Sequence, residues 1–297
     1  MIEEHLEKLR YFHEISRLGS FSRAAAALYI TQPSLTKSIK VLEESIDKKL
    51  FVRTPKGVIL TDEGHILFKY TIGLFSQVEE VEALLGSDSN AMSGTIHIGT
   101  YDSVSIYFWP YFIKHIYKIY PQLKIRLTTD RSDKTLNELE NGSFDLALTI
   151  DPRSSSYLKQ EVIAYDHFDY YSCFNKDERM FSSFQNASLI YMEDSIKDTK
   201  LMTKAIKENN AYKVSNLESA KALALSGVGV AILPTYVAKD EVKRKRLVLI
   251  KNKSYPSLDV YEHPLTVSYA KDRENSVIIK NIVSEMITYS KENLSSL

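Results

Sequence analysis

Along the first fifty residues the apolar positions step by three and four. Leu9, Phe12, Ile15 and Leu18 share one face and stop at Gly19, which predicts a first helix with a glycine terminator. Ser20 then reads as the N-cap of a second helix with Ala24, Ala25, Ala26, Ala27 and Leu28 as its body. The alanines matter for size, because two crossing helices joined by a short turn must approach closely. Tyr29, Ile30 and Thr31 form that turn, and Thr31 is placed to cap a third helix in which Pro33, with no N–H to lose, is tolerated in the first turn. Leu35, Ile39 and Leu42 give this third helix its inward face, and Gln32, Ser34, Thr36, Lys37 and Lys40 remain on the other.

The pattern then changes period. Lys49 to Arg53 and Val58 to Thr61 read as two short strands joined by Thr54-Pro55-Lys56-Gly57. From Thr61 to Leu85 there is no proline, and Leu67, Tyr70 or Thr71, Leu74, Val78, Val81 and Leu85 keep to a helical stripe long enough to face a partner helix. Gly86 to Gly94, rich in glycine, serine and asparagine, breaks the stripe and marks a domain boundary. Beyond it strands and helices alternate. Strands are expected at 95–99, 124–127, 144–150, 188–191, 213–214, 228–233 and 247–250, and helices at 104–119 (interrupted or kinked at Pro110), 132–141, 198–209 and from Leu217. Such alternation predicts parallel α/β sheets.

Length and composition fit this division. A chain of 297 residues is long for one core, and 44% hydrophobic with 26% charged residues is ordinary for a globular protein. No run of uncharged apolar residues is long enough for a membrane span, and the charged start MIEEHLEKLRYFHEI lacks a signal-peptide pattern, so a soluble, cytoplasmic protein without membrane partners is expected. Cys173 is the only cysteine, which excludes an intrachain disulfide and a cysteine-based zinc cluster. The net charge of zero hides a local imbalance: residues 17–60 hold eight basic residues against three acidic ones.

That basic module supplies the candidate chemistry. A glutamine bonds bidentately to adenine in the major groove, serine and threonine reach base edges or phosphates, and lysine neutralises phosphate. The abrupt turn before Gln32 sets the third helix across the second so that Gln32, Ser34, Thr36, Lys37 and Lys40 can enter a groove, while Arg53 and Lys56 near the hairpin tip can touch backbone or minor groove. Ser22, Arg23 and Pro33 complete the candidate DNA-contacting set. The seven histidines show no metal-ligand spacing, Gly227-Val228-Gly229 lacks the third glycine of a dinucleotide loop, and no nucleophile and base can be ordered from the sequence. Neither a cofactor nor enzymatic activity is expected. Lys243 to Arg246 reads as a solvated turn, and Tyr107, Phe108, Trp109, Tyr111, Phe112 and Tyr117 as mostly core.

The run SFSRAAAALYITQPSLTKSIKVLEE followed by LFVRTPKGVILTDEG resembles the N-terminal winged helix-turn-helix of LysR-type transcriptional regulators over about the first 64 residues. Asp47 departs from the glycine usual after the third helix; aspartate tolerates a left-handed conformation better than most residues, so the bend should survive. More diffusely, AKALALSGVGVAILP resembles a signature of the same family's second subdomain. The resemblance implies a DNA-binding domain at 1–64, a linker or dimerisation helix and hinge at 65–93, and a regulatory domain at 94–297. The last is expected as two Rossmann-like subdomains laid out like periplasmic solute-binding proteins, the first from about 94–164 and 267–297, the second about 165–266. It further implies double-stranded promoter DNA and a small-molecule effector as partners, a homodimer through the linker helix, assembly into a homotetramer, and RNA polymerase as a further candidate partner.

In open α/β sheets ligands bind beyond the carboxyl ends of strands. This rule points to the loops at 100–103, 130–132, 151–153 and 193–196, and the family resemblance places Asp102 and Ser103 at effector-contacting positions. The candidates are Thr100, Asp102, Ser103, Arg131, Ser132, Asp151, Ser195 and Asn216, with helix capping as the other role open to Asp102 and Asn216. The competing assignment is a solute-binding protein or enzyme carrying an incidental helix-turn-helix module.

Overall fold

The computed structural model describes residues 6–55, 57–85, 92, 94–173, 187–192, 211–255, 258 and 262–294. Three helices open the chain: α1 (Leu6–Leu18), α2 (Phe21–Ala27) and α3 (Gln32–Ile46). They pack around Phe12, Ile15, Ala24, Leu35 and Leu42, each fully buried. The sequence sets both starts. The Ser20 side chain accepts a hydrogen bond from the N–H of Arg23, and that of Thr31 from Ser34. Two strands, β1 (Phe51–Thr54) and β2 (Gly57–Leu60), form a hairpin, followed by the long helix α4 (Asp62–Leu85).

The remainder is built on two five-stranded sheets. The first begins with β3 (Gly94–Thr100), α5 (Asp102–Tyr107), α6 (Trp109–Ile119), β4 (Leu123–Thr129), α7 (Ser132–Glu140), β5 (Leu146–Ile150) and β6 (Leu158–Asp166). The chain then crosses into the second sheet through β7 (Phe168–Cys173), β8 (Leu189–Met192), β9 (Ala211–Val214), α8 (Leu217–Leu225), β10 (Val230–Pro234), α9 (Thr235–Lys243) and β11 (Leu247–Leu249). It returns with β12 (His263–Ala270), and α10 (Val277–Asn293) closes the first unit. Strand orders are β4-β3-β5-β12-β6 and β11-β7-β10-β8-β9.

The sheets are mixed, which corrects the parallel reading. β3 pairs parallel with β4 and β5, but β12 runs antiparallel to both β5 and β6, and β7 antiparallel to both β10 and β11. The reason is connectivity. A strand that crosses directly from one sheet into the other, with no helical crossover, enters its new sheet in the opposite direction. No alternating pattern announces β6 and β7, because β6 is an edge strand with Lys159, Gln160 and Glu161 in succession. The return strand begins at His263, ahead of residue 267. The aromatic helix expected over 104–119 is two helices divided at Phe108, with Pro110 in the first turn of α6, where its missing N–H costs nothing. Phe108, Trp109 and Phe112 are buried, whereas Tyr111 and Tyr117 are exposed. The segments 86–91, 193–196 and 198–209, with the expected domain break, loop and helix, lie outside the described residues.

Gly229 lets β8 and β10 pair: a Cβ there would lie 2.1 Å from the Ser188 carbonyl oxygen, a backbone atom that cannot swing aside. Gly229→Ala should therefore destabilise the second sheet by about 1–3 kcal/mol, read as an earlier urea midpoint at unchanged slope.

Candidate nucleic-acid interface and effector cleft

The third helix presents its polar face outward. Gln32, Pro33, Ser34, Lys37 and Lys40 are exposed, as are Ser22 and Arg23 on α2, while Thr36 is half-buried. Ser22 Oγ donates to Gln32 Oε1 at 3.0 Å, which orients the amide of the candidate base-reading side chain. Arg23 donates to the Leu18 carbonyl and so also locks α2 onto the end of α1. The hairpin is held against this unit by three devices. The Arg53 guanidinium lies 5.7 Å from the centre of the Phe21 ring. The N–H of Val58 donates to the Gly19 carbonyl at 3.2 Å, an approach that a side chain at Gly57 would block, since its Cβ would lie 2.6 Å from that oxygen. Glu43, nearly buried on α3, accepts from the Leu50 N–H at 2.9 Å and from Lys49 Nζ at 2.7 Å. Asp47 takes the left-handed conformation, φ 51°, that the turn after α3 requires. Lys56 lies outside the described residues.

Between the two sheets is a cavity of about 260 Å³. Of the nominated residues, Arg131, Ser132 and Asp151 line it, joined by Tyr101, Asp133, Asp166, Tyr236 and His263 and by an apolar wall that includes Ile150, Phe168, Met192 and Leu217. Of the other nominees, Thr100, Ser103 and Asn216 are bonded within the fold. Thr100 is fully buried, accepts from Trp109 Nε1 at 2.9 Å and donates to the Leu148 carbonyl at 3.0 Å. Asp102 is exposed in the first turn of α5, where Tyr101 occupies the cap position, so it neither caps the helix nor lines the cavity. Ser103 is buried against the Tyr236 hydroxyl and ties the first subdomain to the second. Asn216 caps α8 by accepting from the Ser219 N–H at 2.8 Å. Ser195 lies outside the described residues.

The electrostatics of the cleft are uneven. Asp151, at φ 48°, is bonded to His263 Nδ1. Asp166 is directly opposite His263 in the β6/β12 register, yet neither of its carboxylate oxygens has a hydrogen bond of good geometry. Burial pushes its carboxyl up to about 6, against an opposing pull from the N–H groups of His167 and Tyr236. A second link across the subdomains joins the Tyr107 hydroxyl to Glu218, with Lys221 2.9 Å from the same carboxylate; burial and Glu218 together push the Tyr107 hydroxyl up. Among the described residues no group of three or more metal-ligating side chains could hold an ion, and no helix is long and apolar enough to cross a membrane.

The model "Bacterial regulatory helix-turn-helix protein, lysR family" matches residues 6–65, and "LysR substrate binding domain" matches residues 89–287. The chain belongs to the LysR family of transcriptional regulators. A hydrogen peroxide-inducible genes activator of Dickeya chrysanthemi is 23% identical over 249 residues, covering 80% of this chain and 81% of that protein. A full-length OxyR variant from Pseudomonas aeruginosa shares the fold with a TM-score of 0.72 at 18% identity, covering 95% of this chain and 94% of that one. LysG from Corynebacterium glutamicum with bound effector Arg gives 0.67 at 16% identity, covering 97% and 98%.

In this LysR-family chain the cleft lies at the carboxyl ends of strands, as expected, but several of its residues were not among those nominated. Tyr236 lies just beyond Pro234, where β10 ends, and Met192 ends β8, so the rule that nominated Arg131 could have found both. Asp166 and His263 carried no such signal, because they belong to the crossing strands that the alternation pattern missed.

The DNA-binding unit also touches the regulatory domain. His13 of α1 packs on Phe68 and Phe75 of α4, Arg17 reaches His97 Nε2 at 3.4 Å and Glu14 at 2.6 Å, and these side chains line a cavity of about 340 Å³ with Arg126, Asp145 and Arg273. The Thr71 hydroxyl gives its one proton to the Phe68 carbonyl at 2.8 Å, so His13 Nδ1, 3.2 Å away, is the donor to Thr71. Burial lowers the His13 pKa to about 4, and burial likewise lowers that of His97.

Removing the Glu43 acceptor in Glu43→Ala leaves the buried Leu50 N–H without a partner and should cost about 1–3 kcal/mol in urea titration, with Glu43→Gln costing less. For His13 the folded pKa is depressed: below its unfolded value of about 6.5 the unfolded chain binds a proton that the folded chain refuses. Its stability contribution is therefore intact at neutral pH and declines as pH falls from about 6.5 toward about 4. His13→Phe should remove that part of the acid sensitivity, measured as the difference in thermal midpoint between variant and wild type across this window.

Proposed function

We propose that this protein is a cytoplasmic, dimeric LysR-type regulator that reads paired half-sites in promoter DNA through α3 and the hairpin and responds to a small molecule held between its two sheets. The observation that carries the sensing half is the cavity of about 260 Å³ between two subdomains joined, among the described residues, by chain crossings and by side-chain links such as Ser103 to Tyr236 and Tyr107 to Glu218. A ligand there changes the relative stability of subdomain arrangements by as much as its affinities for them differ. LysG, with its bound effector Arg, supports the reading that a protein of this fold takes such a molecule.

The DNA-binding half rests on Gln32, Ser34 and Lys37 exposed along one face of a helix capped at Thr31, with Ser22, Arg23, Pro33, Thr36, Lys40, Arg53 and Lys56 around them. Dimerisation is assigned to α4, where Ile66, Tyr70, Leu74, Val78 and Val81 form an exposed apolar stripe while Thr71 turns inward. Two such dimers, joined through their regulatory domains, would bend the DNA between them and present it to RNA polymerase. Peroxide is a poor candidate signal, although relatives carry that name. Cys173 is the one cysteine in the chain and is buried in β7, so no intrachain disulfide can record oxidation.

Gln32→Ala and Ser34→Ala should relax base preference at the contacted position by about 1–3 kcal/mol. Lys37→Ala should weaken all DNA alike and lower the salt slope of binding by about one. Mobility-shift titrations of operator and unrelated DNA at several salt concentrations read both effects. An equal loss of discrimination in all three variants would overturn this division of roles.

A further inference from the structure

Resting on the cleft as the effector site, we infer that the effector carries a positively charged amine or amidine group and that the Asp166 carboxylate is its anchor. Asp166 is 7% exposed, lines the cavity between the sheets, and also borders a smaller apolar one formed with Val104, Phe108 and Leu265. It thus borders open volume on more than one side, and the backbone N–H groups of His167 and Tyr236 that pull on it do so without a hydrogen bond of good geometry. A buried carboxylate left in this state is costly, and natural structures compensate such charges with a cation or with strong donors.

Cations stand near it without hydrogen-bonding either oxygen: Arg131 lines the same cavity, and His167 and His263 offset the effect of burial only in part. His263, its register partner, is committed to Asp151 through Nδ1 and packs its ring edge-on to Phe168. The Tyr236 hydroxyl is committed to Ser103. A bound water would satisfy an oxygen but would add no charge to a wall in which Asp133, Asp151 and Asp166 face the single arginine Arg131. No described group of three or more donors makes the position a metal site. What fits is an organic cation: its N–H groups bond both Asp166 oxygens, and its carbon chain lies along Ile150, Phe168, Met192 and Leu217. The volume suits a fragment-sized molecule, such as a short diamine. The carboxyl, pushed up to about 6 by burial, is largely ionised at neutral pH and therefore ready to take such a partner.

The test uses the full-length protein at neutral pH, with cadaverine and butylamine as cationic probes and glutarate and butyrate as matched acids. Binding is read by calorimetry and by thermal shift. The amines should bind and raise the thermal midpoint, and the acids should do neither. Asp166→Asn should weaken cadaverine by about tenfold or more while melting no lower than the wild type, which separates lost recognition from lost folding. Leu217→Trp, which fills the cavity, should abolish amine binding. Cadaverine binding within about twofold of wild type in Asp166→Asn, no amine binding at any millimolar concentration, or glutarate binding as tight as cadaverine would each overturn the amine assignment. Glutarate binding that Leu217→Trp abolishes would do so while keeping the cleft as the effector site. Ligand binding that Leu217→Trp leaves untouched would remove the cleft reading itself.

Discussion

The regulatory half of this molecule depends on one constraint: the chain passes between its two sheets twice, and both passages meet at the same place. β6 ends at Asp166 and β12 begins at His263, and these residues are paired in register. One residue later the chain is in the second sheet, where Phe168 pairs with Pro234 and the N–H of Thr235 donates to the His167 carbonyl at 3.1 Å. The first passage is extended chain, with only His167 between β6 and β7, and both sheets are mixed, with strands of the two ending at the cavity between them. A cavity at that meeting point is a consequence of the topology. Its polar lining includes Asp166 and His263, the residues at which the two passages pair.

The DNA-binding unit obeys a different constraint, the close approach of short helices. Ala24 and Ala25 are buried where larger side chains would push α2 away from its neighbours. With the helices set, the hairpin is positioned by groups that the helices carry: the Glu43 carboxylate on the Leu50 N–H, the Phe21 ring beneath Arg53, and the Gly19 carbonyl on Val58. The leucine-glutamate pair in the motif thus has two separate jobs. Leu42 fills the core and Glu43 anchors the following turn.

Between these halves lies a polar junction rather than an extension of either core. Arg17, His97, Arg126, Asp145 and Arg273 meet there, with His13 held neutral by burial against α4. Charged and hydrogen-bonded contacts of this kind define an orientation while contributing modestly to stability. The junction also explains why the apolar stripe of α4 is not all free for a partner: Phe68 and Thr71 turn inward, and Tyr70, Leu74 and Val78 remain exposed.

Local patterns were sufficient for the helix-turn-helix, the hairpin, the long helix and most of the α/β alternation. Caps at Ser20 and Thr31, the left-handed bend at Asp47 and the helical faces of α1 and α3 depend on neighbours within a few residues, which a sequence displays directly. The cleft between the sheets was legible only in part. Arg131, Ser132 and Asp151 follow from a rule about strand ends, whereas Thr100 and Ser103 looked like ligand-binding hydroxyls until the partners of their side chains, Trp109 with the Leu148 carbonyl and Tyr236, were known. Asp166 and His263 are far apart in the chain and lie on strands whose polar residues mask the alternation. The sequence by itself determined the family, the DNA-binding module and the absence of an intrachain disulfide, because these rest on local spacing and composition. Only the tertiary structure decided which side chains share the cleft and which are already bonded, because a hydrogen-bond partner from another strand or helix leaves no periodic trace in the chain.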